Sequence, residues 1–259
     1  MGAGVRLFSM FGTVKAMGRF ALRSVFHIVC PPTCAACGRM TGADGALCPD
    51  CWRDVGFIER PYCEALGIPF SLDHGDGVVS GEAIANPPAF DRLRAVAIHD
   101  GVARKLVHRL KYQDRTDLAP FMASWMLRAS EGRVGPCDYV IPVPLHRRDF
   151  TQRRFNQSAE LARHLVRLAK KQLLAGTLLR VKPTQRQVGL PARARQDNVR
   201  GAFAIAPGHE TDVVGKRIVL VDDVYTTGAT MAAAVRVLKK AGAADVTVLI
   251  FAMAVSGPI

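Results

Sequence analysis

From Leu93 onward the apolar positions alternate between two patterns. Near-continuous apolar runs, as in DYVIPVP, GKRIVLVDD and DVTVLIFAMAV, alternate with segments whose apolar residues recur at helical spacing. The pattern predicts a strand over RAVAIHD, a helix through VARKLVHRLKYQ and a second helix over 118–130. DYVIPVP follows as a strand stopped by two prolines. A helix is predicted over 156–174, with Leu161, Leu165 and Leu168 on one side. GKRIVLVDD is then a strand, 230–240 a helix, and DVTVLIFAMAV the last strand. Strands that are apolar on both faces and alternate with helices imply an α/β fold, with a mostly parallel sheet flanked by helices.

Before Leu93 the chain reads differently. Residues 1–29 carry Arg6, Lys15, Arg19 and Arg23 among apolar positions and predict an amphipathic helix. This stretch contains no run of 18 uncharged apolar residues, so no transmembrane segment is expected, and it lacks the compact apolar core of a secretory signal. Residues 30–69 are dense in Cys, Pro and Gly, and short loops of that kind bury little apolar surface. Residues 70–90, with the pair Pro87-Pro88, are expected as a connecting linker, leaving 91–259 as the main domain. No internal repeat stands out.

Of seven cysteines, six lie between Cys30 and Cys63. An odd count crowded at one end argues against a disulfide framework and for a metal site in a reducing, cytoplasmic setting. Cys34, Cys37, Cys48 and Cys51 form a CxxC-x10-CxxC array, the spacing of a structural zinc ribbon in which each pair turns both sulfurs toward one Zn2+. Zinc would supply the folding free energy that so small a region lacks. Cys63 is followed by Glu64, Ala65 and Leu66 rather than by a second cysteine, and is expected in a core. Cys30 and Cys137 are surplus to the array.

The stretch 218–230, IVLVDDVYTTGAT, ends an apolar strand on paired acids, Asp222 and Asp223. In an open parallel sheet, ligands bind beyond the carboxyl ends of the strands. A glycine-bearing turn leading into a helix offers backbone N–H groups to phosphate. Thr226, Thr227, Gly228, Ala229 and Thr230 therefore read as a phosphate cradle. The acids beside it would repel phosphate unless they face sugar hydroxyls or a cation. The chain carries no Gly-Lys-Ser/Thr loop and no dinucleotide fingerprint. Upstream, IPVPLHRRDFTQRRFNQS places arginines just after a strand end, where their fork of donors suits phosphate oxygens. Residues 180–203 are basic and broken by Pro183, Gly189 and Pro191, and are expected as a mobile loop over an anion.

The 218–230 stretch closely resembles the ribose-phosphate signature of type I phosphoribosyltransferases. The resemblance implies that Asp222 and Asp223 face the ribose hydroxyls of phosphoribosyl diphosphate, that residues 226–230 hold its 5-phosphate, and that Mg2+ bridges diphosphate and ribose oxygens. It further implies that the diphosphate meets Val143, Pro144 and Leu145, with Arg153, Arg154 and Asn156 nearby. It also implies that the basic loop, through Arg186, Arg193 and Arg195, closes over the site, and that Asp222, Asp223 and Arg193 form the catalytic set. Over most of its length the chain resembles the ComF family of competence-associated, phosphoribosyltransferase-like bacterial proteins. The shared motifs are the cysteine module with LCPDCW, AIHDGVARKLVHRLKY, IPVP, RRFNQS, QVGL, NVRGAF and VLVDDVYTTGAT. Some relatives carry a further CxxC where this chain has CEALG, which puts a second metal site in doubt.

The implied function is phosphoribosyl transfer to a nitrogenous base or amine. The alternative is a non-catalytic, nucleotide- or DNA-binding accessory protein in DNA uptake or utilisation. A net charge of +13 fits either anionic partner. An amidotransferase of the glutamine-hydrolysing kind is not supported, because the N-terminal catalytic cysteine is missing. Sequence leaves a homo-oligomer open.

Overall fold

The computed structural model describes residues 31–43, 45–146, 154–182 and 201–255. The expected N-terminal helix, Cys30, Arg153 and the loop arginines Arg186, Arg193 and Arg195 lie outside the described residues. The chain divides into two compact units, one up to Trp52 and one from Arg53 onward.

In the first unit, Thr33 and Met40 pair in an isolated antiparallel bridge. The Cys34 N–H donates to Arg39 O and the Gly38 N–H to Cys34 O, closing a tight knuckle. Gly38 takes φ +79°, a left-handed conformation that glycine adopts without strain. A second half follows, ending in the short helix α1 (Pro49–Arg53).

In the second unit, residues 71–90 contain helix α2 (Gly81–Ala85) and bury Ser80, Ala83 and Phe90. A five-stranded sheet comes next, built from β1 (Arg92–Ile98), β2 (Tyr139–Pro142), β3 (Gln172–Leu173), β6 (Arg217–Tyr225) and β7 (Asp245–Met253). The strand order is β1-β7-β6-β2-β3, and every neighbouring pair is parallel. Helices α3 (Gly101–Tyr112), α4 (Ala119–Ala129), α5 (Gln157–Ala169) and α6 (Ala229–Lys240) connect the strands. Eight of the nine residues of β7 are buried, as expected of a strand covered on both faces. A separate antiparallel pair, β4 (Leu178–Arg180) and β5 (Phe203–Ile205), brackets the basic loop.

Both edges of the sheet are short or covered. On the outer side of β1, the Ile58 N–H donates to Val96 O and the Ile98 N–H to Gly56 O. Phe57 bridges Ala97 there. The opposite edge is the two-residue β3.

Two expectations about α5 are corrected. The helix ends at Ala169 rather than 174, because Lys170 turns left-handed at φ 54° and its N–H returns to Val166 O. The chain then runs along β2 as β3. Leu161 and Leu165 are fully buried, but Leu168 is 49% exposed. The buried positions of α5 all lie between Gln157 and Leu165, so burial fades along the helix and the last turn projects past its cover.

Candidate functional site

The chain leaves β2 for β3 on one side of the sheet and leaves β6 for β7 on the other. The carboxyl ends of neighbouring β2 and β6 therefore flank a topological switch point, where open α/β sheets form a crevice. Most of the sequence-predicted site residues within the described part lie around it.

Asp222 and Asp223 sit near the end of β6, which continues to Tyr225. Alternation along the strand sends the two side chains to opposite faces. Asp222 Oδ1 accepts a 2.6 Å hydrogen bond from Ser158 Oγ, in the first turn of α5, and a 3.0 Å bond from the Asp223 N–H. Burial, then the negative charge of Asp223, raises the Asp222 carboxyl to about 7. Asp223 is 5% exposed. Lys111 Nζ, from the end of α3, lies 3.1 Å from its Oδ1, while its buried Oδ2 has no hydrogen-bond partner among the described residues. His99 follows β1 nearby. Burial holds its imidazole below the usual value, and the positive charges of Lys111 and Arg104 add to the effect.

After β6 comes the turn Thr226, Thr227, Gly228, with Ala229 and Thr230 opening α6. Gly228 has φ +73°, and a Cβ there would come within 2.6 Å of the Tyr225 ring carbon Cζ. Only glycine lets the ring lie against the turn while the backbone stays left-handed. The N-cap of α6 has no side-chain hydrogen bond. The residues that open α6 line a cleft together with Asp222, Tyr225, Thr226 and Gly228.

On the β2 side, Val143 is buried and its N–H donates to Val221 O, tying the strand exit to β6. Pro144 and Leu145 follow, half-buried. Asn156 caps α5 by accepting from the Ser158 and Ala159 N–H groups, and its Nδ2 donates to Val143 O at 3.0 Å. One side chain thereby fixes both the loop and the helix that delivers Ser158. Arg154 is 85% exposed and pairs with Asp114 at 3.0 Å, so it is not drawn into the crevice. The peptide bonds before Pro142 and Pro144 are not cis; the cis bond recorded among the described residues is Arg60-Pro61.

Sequence reasoning missed Ser158, Lys111, His99 and Tyr225 as neighbours of the acid pair. RRFNQS and AIHDGVARKLVHRLKY already contained three of them, and the strand–acid stretch contained the fourth. The crossover topology brings the first three to the acid pair, and Tyr225 stands on the same strand.

In the first unit, the sulfurs of Cys34, Cys37, Cys48 and Cys51 all lie within 4.8 Å of one another, with Cys37 and Cys48 3.7 Å apart. A tetrahedron with zinc–sulfur arms of about 2.3 Å has edges of about 3.8 Å, so the cluster fits one zinc ion. Burial pushes the Cys34 thiol up, but N–H groups of Cys48, Cys37 and Ala36 outweigh it and bring the thiol down to about 6. Those donors favour the thiolate form that a metal requires.

Comparison with known proteins agrees with this anatomy. A double zinc ribbon domain matches residues 25–83, and a phosphoribosyl transferase domain matches residues 161–258. The class is therefore a phosphoribosyltransferase-like α/β domain preceded by a zinc-ribbon module carrying a structural zinc site. The chain is 33% identical over 221 residues to the DNA utilization protein YhgH of Escherichia coli strain K12, covering 83% of this chain and 87% of the relative. It matches the protein of the same name from Shigella flexneri to the same extent. It is 27% identical over 223 residues to Competence protein F of Haemophilus influenzae, covering 83% of this chain and 94% of that one. The chain belongs to the ComF family. Among solved structures, a glutamine phosphoribosylpyrophosphate amidotransferase from B. subtilis aligns at TM-score 0.37 and 24% identity. That alignment covers 55% of this chain but only 30% of the other, a likeness too partial to bear on function. No helix among the described residues is long and apolar enough to cross a membrane.

Proposed function

We propose that the protein binds phosphoribosyl diphosphate with Mg2+ and transfers the phosphoribosyl group to a nitrogenous acceptor. One observation carries this reading. At the switch point between β2 and β6, the buried Asp223 and its half-buried neighbour Asp222 stand beside a glycine turn that opens onto a helix N-terminus.

The turn 226–230 and the leading N–H groups of α6 take the 5-phosphate. Asp222 and Asp223 orient the ribose through its hydroxyls, and Asp223 Oδ2, which has no hydrogen-bond partner among the described residues, supplies an acceptor. The same oxygens suit a divalent cation, and Mg2+ when bound neutralises charge on the diphosphate. Val143, Pro144 and Leu145, held by Asn156, receive the diphosphate from the β2 side. The acceptor nitrogen forms a bond to the anomeric carbon as the carbon–oxygen bond to diphosphate breaks. The leaving charge is met by arginines of the basic segments, with Arg153, Arg186, Arg193 and Arg195 as the candidates, and the acceptor's proton passes to solvent or to a base on the acceptor side. Neither aspartate is assigned as the general base. Lys111 is a resident counter-ion of Asp223, and ligand binding exchanges that contact for ribose or cation contacts.

Calorimetry of phosphoribosyl diphosphate on zinc-loaded protein, with and without Mg2+, tests the reading. Magnesium-dependent binding that is lost in the Asp222→Ala, Asp223→Ala variant is expected. A folded, zinc-loaded wild type that binds nothing overturns it.

A second reading is favoured by the names of the relatives, DNA utilization protein and competence protein, together with the +13 charge. In this reading the protein is a non-catalytic accessory that binds nucleic acid. It calls for DNA binding that survives moderate salt, since binding abolished by salt reports charge alone.

A further inference from the structure

Residues 61–85 reproduce five backbone hydrogen bonds and the bridge of the zinc ribbon, with no second cysteine pair. In the first ribbon, Thr33 bridges Met40, the Cys34 N–H donates to Arg39 O, the Gly38 N–H to Cys34 O and the Thr41 N–H to Pro32 O. In the second segment, Tyr62 bridges Pro69, the Cys63 N–H donates to Ile68 O, the Gly67 N–H to Cys63 O and the Phe70 N–H to Pro61 O. All four contacts recur at a constant offset. Gly67 is left-handed at φ +65°, like Gly38 at +79°.

The second halves match too. The Ala35 N–H donates to Ala46 O as the Glu64 N–H does to Val78 O, and the Trp52 N–H donates to Cys48 O as the Ile84 N–H does to Ser80 O. Short helices follow Cys48 and Ser80 alike. The Cys48 N–H donates to the Cys34 sulfur at 3.3 Å, and the Ser80 N–H donates to the Cys63 sulfur at 3.3 Å. The correspondence therefore runs from Cys34, Cys37, Cys48 and Cys51 to Cys63, Leu66, Ser80 and Ala83.

A tetrathiolate cannot form from one thiol, one hydroxyl and two aliphatic groups. What closes this second ribbon is visible instead. Cys63 is fully buried and also accepts from the Leu66 N–H at 3.5 Å. Ser80 Oγ caps α2 by accepting from the Ala83 N–H. Leu66 packs against the main core, and Ala83 is 4% exposed. The ribbon is also clasped to β1. The Leu93 N–H donates to Ala65 O, and the buried Arg94 guanidinium donates to Glu64 O and to the Glu64 carboxylate. A Cβ on Gly67 would lie 2.6 Å from Leu93 O, so the knuckle presses directly on the strand.

We propose that residues 61–85 are a zinc ribbon whose metal has been replaced by sheet docking and a small apolar core. The chain accordingly holds one zinc ion rather than the two a double ribbon could hold, and positions 63, 66, 80 and 83 remain a latent site for a soft divalent metal.

Metal counting on the full-length protein tests this. Wild type is expected to carry one zinc per chain, Cys34→Ser none, and Cys63→Ala still one. The triple variant Leu66→Cys, Ser80→Cys, Ala83→Cys is expected to carry two, with the thiolate-to-metal absorption of the cobalt-loaded protein doubling. Two zinc ions in wild type, or a count lowered by Cys63→Ala, overturns the proposal. A folded triple variant that stays at one overturns the latent site. If the triple variant does not fold, the wild-type and Cys63→Ala counts still decide whether the second ribbon is metal-free.

Discussion

On the proposed function, Asp222 is expected to couple protonation to both stability and binding. Its folded-state carboxyl is raised from 3.8 to about 7 by burial and by Asp223. Between those values the folded protein keeps a proton that the unfolded chain has lost. The group's contribution to stability therefore falls as pH rises from about 4 through 7. Asp222→Asn is expected to melt at a higher temperature than wild type at pH 8, with the advantage vanishing near pH 4; a pH series of thermal midpoints checks this. Binding that draws the carboxyl into its charged form should release a fraction of a proton at pH 6.5. The calorimetric enthalpy would then depend on the buffer's ionisation heat in wild type but not in Asp222→Asn. Lys111→Met removes the cation beside a 5%-exposed carboxylate and is expected to cost about 2–3 kcal/mol in denaturant unfolding, most of it recovered by adding Asp223→Asn. A neutral Lys111→Met would mean the ion pair contributes nothing. The acid pair was legible in the sequence because strand, acids and turn are contiguous. Ser158 was not, since its bond to Asp222 spans 64 residues.

At the scale of elements, the glycine turn is the most constrained. Gly228→Ala forces a side chain into a left-handed position and against the Tyr225 ring. A loss of about 1–3 kcal/mol is expected, together with loss of phosphate binding, read by chemical denaturation and by titration with phosphoribosyl diphosphate. The long strands were the easiest elements to foresee, because continuous apolar runs of β6 and β7 have few other homes, whereas the two- and three-residue strands β3, β4 and β5 carry no such run. The end of α5 was not, because Lys170 turns left-handed with neither glycine nor asparagine to signal it. The repeated ribbon was hidden for a related reason. Its identity lies in backbone hydrogen bonds, and the positions that would advertise it, 66, 80 and 83, are not cysteines.

At the scale of the molecule, metal and sheet stabilise different parts of the chain. The first ribbon closes around four sulfurs, whereas the second is held by β1 and Arg94. Stripping zinc with a chelator is expected to raise amide exchange across 33–52 while leaving 61–85 and the sheet protected, measured segment by segment. Equal deprotection of both ribbons would mean that the second depends on metal after all. The alternation of strands and helices was readable from sequence, but the strand order was not, and the switch point between β2 and β6 follows from that order alone.

The covered flank of β1 and the two-residue β3 bear on how copies of this protein can meet. A long open strand invites another chain to continue the sheet, which is a common route to runaway association. Here residues 56–58 occupy one flank, and the other offers too short a ladder to hold a partner. Association through this five-stranded sheet would therefore proceed by side chains on its helices and loops rather than by extension of its strand ladder.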